Sequence, residues 1–241
     1  MRRLFLPPER LATQHLILDG DEHRHLGRVL RARPGDKVVI FDGRGNEFDA
    51  EVVASGRETT ELALGARRDA LPATIRLTLL QSVARGERMD WIVQKTCELG
   101  VARIVPVLTS RVVARPAGSS TRRARWEKIA REAARQSGRA DVPDVAEPVS
   151  LAQALATSDA QDLRLCLWEV SRGRALRAAL PQPPRSTTVL VGPEGGFSEA
   201  EIAAAEAAGF LTVTLGPRIL RVETATVVAV TLIQASAGGL E

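Results

Sequence analysis

The segment VLVGPEGGFSEAEIAAAEAAGF, residues 189–210, decides how the second half of this 241-residue chain folds. It opens on an apolar run suited to a strand buried on both faces and ends in an alanine-rich stretch with helical spacing. Ser198, followed three residues on by Glu201, is a capping box and predicts a helix starting there. Between strand and helix stand Gly192, Pro193, Glu194, Gly195 and Gly196. Glycines at such a junction let a backbone approach a ligand closely and permit positive φ. Pro193 stiffens the loop and removes one donor. The stretch is neither a dinucleotide fingerprint nor a Walker A loop, and Glu194 brings negative charge to where a phosphate would sit.

A second stretch, LGPRILRVETA at 215–225, has the same build. Gly216-Pro217 bends the chain directly after an apolar strand, and Arg218, Arg221 and Glu223 follow within a few residues. Ile219 and Leu220 can line an apolar slot. Ligands of open parallel sheets bind beyond the carboxyl ends of the strands, so neighbouring strands would present both loops to one pocket. An acidic, glycine-rich pocket without a phosphate cradle, beside arginines, suits a cationic cofactor carrying an adenosine, such as S-adenosylmethionine. Two tight connections with no ligand fit the same pattern.

Working outward, apolar strands are expected at 75–80, 103–108, 163–168, 187–191 and 211–215. Helices are expected at 87–99, 122–137, 149–156, 172–180, 198–208 and 223–237. Short strands that are apolar throughout, alternating with helices, predict a mostly parallel sheet covered on both sides. Pro181, Pro183 and Pro184 read as a rigid link. The helix at 122–137 has a packing stripe of Trp126, Ile129, Ala130, Ala133 and Ala134. Its flank of Arg125, Lys128, Arg131 and Arg135 is partly offset by Glu127 and Glu132.

The first 65 residues have a different rhythm. DKVVIFDG, NEFDAEVVAS and TTELALG are short alternating runs with turn signals between them, which predicts a small β-barrel of five or six strands. DEHRHLGRVLRA is its one helix, with His25, Leu26, Val29 and Leu30 on an apolar stripe and Arg24, Arg28 and Arg31 opposite. The G-x-G at 43–45 reads as a hairpin turn. The expected division is 1–70 and 71–241, with the boundary near Asp69 to Pro72.

Charge is uneven. Residues 71–140 carry 14 Lys/Arg against 5 Asp/Glu, whereas residues 141–241 carry 7 against 12. A basic middle suggests a polyanionic partner, and a solvated arginine-rich surface is the alternative. No apolar run is long enough for a membrane span, and the start does not read as a signal peptide, which favours the cytoplasm. Cys97 and Cys166 lie far from the three histidines, all within the first 25 residues, so no metal is expected.

The motifs GPEGGFS and LGPRILRVETA together resemble the signature of the bacterial 16S rRNA uridine-N3 methyltransferases, the RsmE family. QKTCELGVARIVPVLTSR (94–111), WEKIAREAARQSGRADVP (126–143) and HLGRVLRARPGDKVVIFDGRG (25–45) extend the resemblance over nearly the whole length. It implies a PUA-like β-barrel for 1–70, joined to a SPOUT-type α/β domain for 71–241 with a C-terminal trefoil knot. It also implies a homodimer that acts on 16S rRNA, in the assembled small ribosomal subunit. S-adenosylmethionine would then be held by Val191, Gly192, Pro193, Glu194, Gly195 and Gly196. Leu215, Gly216, Ile219 and Leu220 would face them, with Leu167, Trp168 and Glu169 as a third wall. One departure stands out: Arg135 occupies a position where members of the family usually have glutamate.

Uridine N3 carries a proton on the Watson–Crick edge, so the base has to be unpaired and deprotonated before it can accept a methyl group. A fixed guanidinium aimed at O2 or O4 of the resulting anion would lower the barrier. Arg221 is the first candidate, then Arg218, with Glu223 a candidate acceptor for the N3 proton. An ion pair of these arginines with Glu223 that only braces the loop is the alternative. Arg24, Arg28, Arg31, Arg125, Arg131 and Arg135 are the candidate RNA-binding residues. Competing classes are a non-catalytic RNA-binding module, a methyltransferase acting on another RNA nucleotide, and a doubly wound sugar-phosphate enzyme, for which no phosphate fingerprint is present.

Overall fold

In a computed structural model that describes residues 2–70, 73–112, 119–158, 163–169, 174–180 and 186–240, the chain divides into two packed units. One comprises Met1–Pro72 with Arg131–Val142, the other Ala73–Ala130 with Pro143–Glu241. The proline-rich link at 181–185 lies outside the described residues.

The first unit is built on a five-stranded sheet. Its strands are β1 (Arg2–Phe5), β2 (His15–Leu18), β3 (Lys37–Phe41), β4 (Glu47–Ser55) and β5 (Thr60–Arg68), in the order β1-β3-β4-β5-β2. β1 runs parallel to β3, and the other pairs are antiparallel. Alternation along the strands sends Leu4, Leu16, Leu18, Val38, Ile40, Val52 and Leu62 into one apolar cluster, as period-2 patterning requires. The Gly43–Gly45 stretch is a turn closed by Asp42. Its carboxylate accepts from the Arg44 and Asn46 backbone N–H groups at 2.7 and 3.0 Å and from Asn46 Nδ2 at 2.5 Å.

The helix expected over DEHRHLGRVLRA is interrupted. α1 (Gly20–Arg24) passes into one wide turn, His25–Val29, in which the Leu30 N–H reaches back to the His25 carbonyl at 2.9 Å. Leu26 is fully buried under the sheet. Arg31 then takes φ 50°, a left-handed conformation uncommon for a side chain of this kind.

The second unit holds an eight-stranded sheet. It comprises β6 (Arg76–Ser82), β7 (Arg103–Leu108), β8 (Asp144–Val145), β9 (Val149–Ser150), β10 (Leu163–Leu167), β11 (Arg174–Ala175), β12 (Ser186–Val191) and β13 (Leu211–Thr214). The order is β11-β13-β10-β12-β6-β7-β8, with β9 also on β7, and every pair is parallel. The helices are α2 (Arg88–Glu98), α3 (Ser119–Ser137), α4 (Leu151–Ala156), α5 (Leu176–Ala179), α6 (Glu199–Ala207) and α7 (Val222–Ser236). α4 and α6 cover one face, where Leu80, Val105, Val107, Leu190 and Cys166 meet Leu155, Ile202 and Phe210. α2 and α7 pack together, burying Ile92, Val93, Ala229, Val230 and Ile233.

The five longer strands match the apolar runs in the sequence. The two-residue strands β8, β9 and β11 do not announce themselves, because so short an element carries no period. Over 172–180, where a helix is expected, the described residues form β11 and then the four-residue α5. α3 belongs to both units: its residues from Arg131 on group with the first sheet, although the sequence pattern assigns them to the second domain. The packing stripe is continuous along the helix, so nothing in the pattern marks the division.

Candidate active site

Strand order creates the site. After β12 the chain passes through α6 and lays down β13 on the far side of β10, so successive strands lie on opposite flanks of one central strand. Such a reversal opens a crevice beyond the carboxyl ends of the strands. Three connections surround it: Leu167 to Glu169 after β10, Val191 to Phe197 after β12, and Thr214 to Glu223 after β13. The cavity of about 330 Å³ falls in the range of small-ligand pockets, roughly 300–1,000 Å³.

Of the residues expected to hold a cofactor, Leu167, Trp168, Glu169, Val191, Gly192, Pro193, Glu194, Gly196, Leu215, Gly216, Ile219 and Leu220 all line this crevice. Gly195 does not; it turns away, and its carbonyl accepts from Arg111 Nη1 at 2.7 Å. Gly196 has φ 67°, and a Cβ there would stand 2.7 Å from Glu169 Oε1. Only glycine both takes this conformation and leaves room for that carboxylate.

Glu194 lines the crevice and also has a task that its sequence position does not suggest. Its carboxylate accepts from the Arg85 backbone N–H at 3.0 Å and from Arg88 Nη1 at 2.9 Å. Burial works against its charge, but these hydrogen bonds outweigh it and hold the carboxyl below its ordinary 4.5. The charge is thus spent on fastening the loop to the start of α2. Glu169 and Glu223 are the other carboxylates that line the crevice. Arg88 lines the crevice as well; it lies far from both motifs in sequence, and only the fold brings it there.

Glu201 fastens the same loop from its other end. Its Oε2 completes the capping box with Ser198, accepting from the Ser198 N–H at 2.9 Å, while Oε1 accepts from the Ser110 N–H at 2.7 Å. Here too burial opposes the charge, and the hydrogen bonds led by Ser110 prevail, lowering the carboxyl below 4.5. A carboxyl lowered on folding contributes stability above its unfolded value and loses it as pH falls through the folded one. Stability is therefore expected to hold at neutral pH and to decline below about pH 4.5, more shallowly in Glu201→Gln. Thermal melts from pH 7 to pH 3 check this; parallel declines in the two proteins would refute it.

Arg218, Arg221 and Glu223 all line the crevice. Both arginines are exposed, and among the described residues neither forms an ion pair with Glu223. Glu223 Oε2 is buried without a hydrogen-bond partner. An orphaned carboxylate oxygen and the nearby Glu169, beside apolar Leu167, Val213 and Leu220, suit an uncharged ring system joined to a cationic group. The residues present thus fit S-adenosylmethionine, whose sulfonium and ammonium groups are cationic.

The candidate RNA-binding residues are spread over both units. Arg24 pairs with Asp21, Arg125 with Asp90, and Arg135 with Glu132 at 2.5 Å. Arg131 lies over the Phe5 ring at 5.7 Å, and Arg31 is exposed. The Arg28 side chain is outside what the structure describes. Arg135 also reaches His25 Nε2 at 2.5 Å. Burial, and then the Arg135 charge, keep that imidazole below its ordinary 6.5 despite Glu132. Cys97 and Cys166 are both buried. Burial pushes the Cys166 thiol up to about 12, with help from Glu206 and Glu169, which disqualifies it as a nucleophile. Among the described residues no group of three or more His, Cys, Asp or Glu could hold a metal ion, and no helix is long and apolar enough to cross a membrane.

The parallel sheet with its crevice, and the small separate sheet before it, coincide with the two domains of a known class, the RNA methyltransferases with an appended PUA domain. Family models for the RNA methyltransferase domain and the RNA methyltransferase PUA domain match residues 71–234 and 18–63. The chain belongs to the ribosomal RNA small subunit methyltransferase E family. The protein of that name from Synechocystis sp. is 33% identical over 97% of this chain and 77% of its own length. The one from Bacillus subtilis is 31% identical over 90% and 88%. The structure of the Neisseria gonorrhoeae methyltransferase E bound to S-adenosyl methionine superposes with a TM-score of 0.89 at 34% identity, covering 98% of this chain and 97% of that one. A methyltransferase from Legionella pneumophila in complex with the same cofactor gives 0.86 at 32%, covering 97% and 96%.

Proposed function

We propose that this protein transfers a methyl group from S-adenosylmethionine to N3 of a uridine in 16S ribosomal RNA, in the assembled small subunit, as a homodimer in the cytoplasm. The observation that carries this reading is the crevice itself. Two glycine- and proline-bent connections and the turn after β10 meet there, carboxylates and exposed arginines line it, and relatives of over 30% identity bind this cofactor or are named for small-subunit ribosomal RNA.

The sulfonium of the bound cofactor supplies an already activated methyl group, so this chain's residues have two tasks left. The first is alignment. Gly192, Pro193 and Gly196 on one side and Leu215, Gly216, Ile219 and Leu220 on the other offer backbone and apolar surface to the cofactor, and Leu167, Trp168 and Glu169 close the third side. The latches at Glu194 and Glu201 hold the middle loop in place before the cofactor arrives, which lowers the ordering cost of binding. The second task is to favour the uridine anion. Arg221 directs positive charge to its carbonyl oxygens, Arg218 supports it, and Glu223 Oε2, lacking a partner, accepts the N3 proton.

The finer architecture belongs to the same proposal. The N-terminal sheet acts as a PUA-like barrel that grips RNA through Arg24, Arg28 and Arg31, and Arg125, Arg131 and Arg135 are further RNA contacts. The second domain is of the SPOUT class, its C-terminal part threaded as a trefoil knot; the crossing of the chain over β10 between β12 and β13 supports this. Ile219, 85% exposed, and Leu232 on α7, 36% exposed, leave apolar surface for a second copy to cover. The test is methyl transfer to small subunits and to naked 16S rRNA that lack the modification, followed by nucleoside analysis. N3-methyluridine from subunits is the expected product. Transfer to a different nucleoside, or cofactor binding by a folded protein that transfers nothing, would overturn the reading.

A further inference from the structure

We infer that Trp91 is a stacking platform for a base of the substrate RNA that flanks the methylated nucleotide. This rests on the reading of the protein as an RNA methyltransferase and adds a contact outside the cofactor crevice. Aromatic side chains make up only 3% of the chain, with no tyrosine. Every other Trp and Phe is buried or half-buried, whereas Trp91 is 41% exposed. A protein this short of aromatic surface has left its one exposed indole on the helix that borders its crevice.

Its neighbours on α2 point to the occupant. Residues three and four apart share a helix face, so Trp91 lies between Arg88 on one side and Gln94 and Lys95 on the other. Arg88 lines the crevice and is fixed there by Glu194. Lys95 is held by Glu98 at 2.9 Å. An aromatic ring flanked by basic and amide side chains, three residues along α2 from the crevice-lining Arg88, is the chemistry that receives an unpaired strand. Rings take the bases, and cations follow the phosphates. The reaction creates the need for it. Drawing a uridine from its stack to expose N3 deprives the adjacent base of a neighbour, and an indole one helical turn beyond Arg88 replaces it.

The experiment compares the full-length wild-type protein with Trp91→Ala, Trp91→Leu and Trp91→Phe, using small ribosomal subunits that lack the modification. KM for the subunits, kcat, cofactor affinity by calorimetry and oligomeric state by light scattering are measured for each. Trp91→Ala and Trp91→Leu are expected to raise KM for the subunits by about 5-fold to 100-fold, with cofactor affinity and oligomeric state unchanged, and Trp91→Phe to restore most of the loss. Leucine keeps apolar bulk but cannot stack, so rescue by leucine, or dissociation of an oligomer in the alanine variant, would overturn the proposal and assign Trp91 to a contact between protein copies. A KM equal to wild type in all three would also overturn it. Failure of the wild-type protein to methylate subunits would instead refute the functional reading.

Discussion

Arg221→Ala is expected to lower kcat by about 10²–10³-fold at saturating cofactor, the usual cost of losing one donor to a developing oxyanion. Arg221 is the residue that precedes the first turn of α7, with φ −63° and ψ 151°. Its position is thus set by the helix start and by buried Val222 behind it, not by an ion pair. Because no carboxylate among the described residues neutralises it, its charge is available to the substrate. Single-turnover transfer to small subunits reads the effect directly, with cofactor affinity measured alongside. A loss below about threefold would remove Arg221 from the chemistry, since a transition-state contact acts mainly on kcat.

The largest stability effect is expected at Trp126, on the half of α3 that packs within the second unit. Trp126 is 3% exposed, and its indole N–H donates to Asp90 Oδ1 on α2 at 3.1 Å. The other Asp90 oxygen engages Arg125, and the Cys97 thiol reaches the Ala130 carbonyl at 3.3 Å. Trp126→Ala removes a large buried side chain and should cost about 3–5 kcal/mol in urea unfolding. Trp126→Phe keeps most of the packing and leaves Asp90 short of a donor, at about 1–3 kcal/mol. Equal losses in the two variants would show that the hydrogen bond, and not the packing, dominates.

Much of this was readable in advance where a residue's role depends on its immediate neighbours. Ser198 and Glu201 announce the start of α6, since the capping box is a contact between residues three apart. The apolar runs at β6, β7, β10, β12 and β13 announce a sheet covered on both sides. Strand order is another matter. Nothing in residues 186–191 says that they pair with 76–81 on one side and 163–167 on the other, so the third wall of the crevice, Leu167 to Glu169, could be added to the two bent loops only by resemblance. The role of Glu194 was hidden for the same reason: as part of a glycine-rich loop it reads as a ligand for a cationic cofactor, and only the folded chain brings Arg85 and Arg88 to it. The wide turn at His25–Val29 was also missed, because its apolar spacing is that of an ordinary helix.

The register that sets Arg76 opposite Ser186 has a consequence for how the molecule comes into being. As translation proceeds, β6 and β7 can pair early, yet one side of β6 keeps its backbone donors and acceptors open until the strand that covers them has left the ribosome. Bare strand borders invite pairing with other chains. The newborn polypeptide is therefore most prone to aggregate during that interval, and holding chaperones would be most useful to it then.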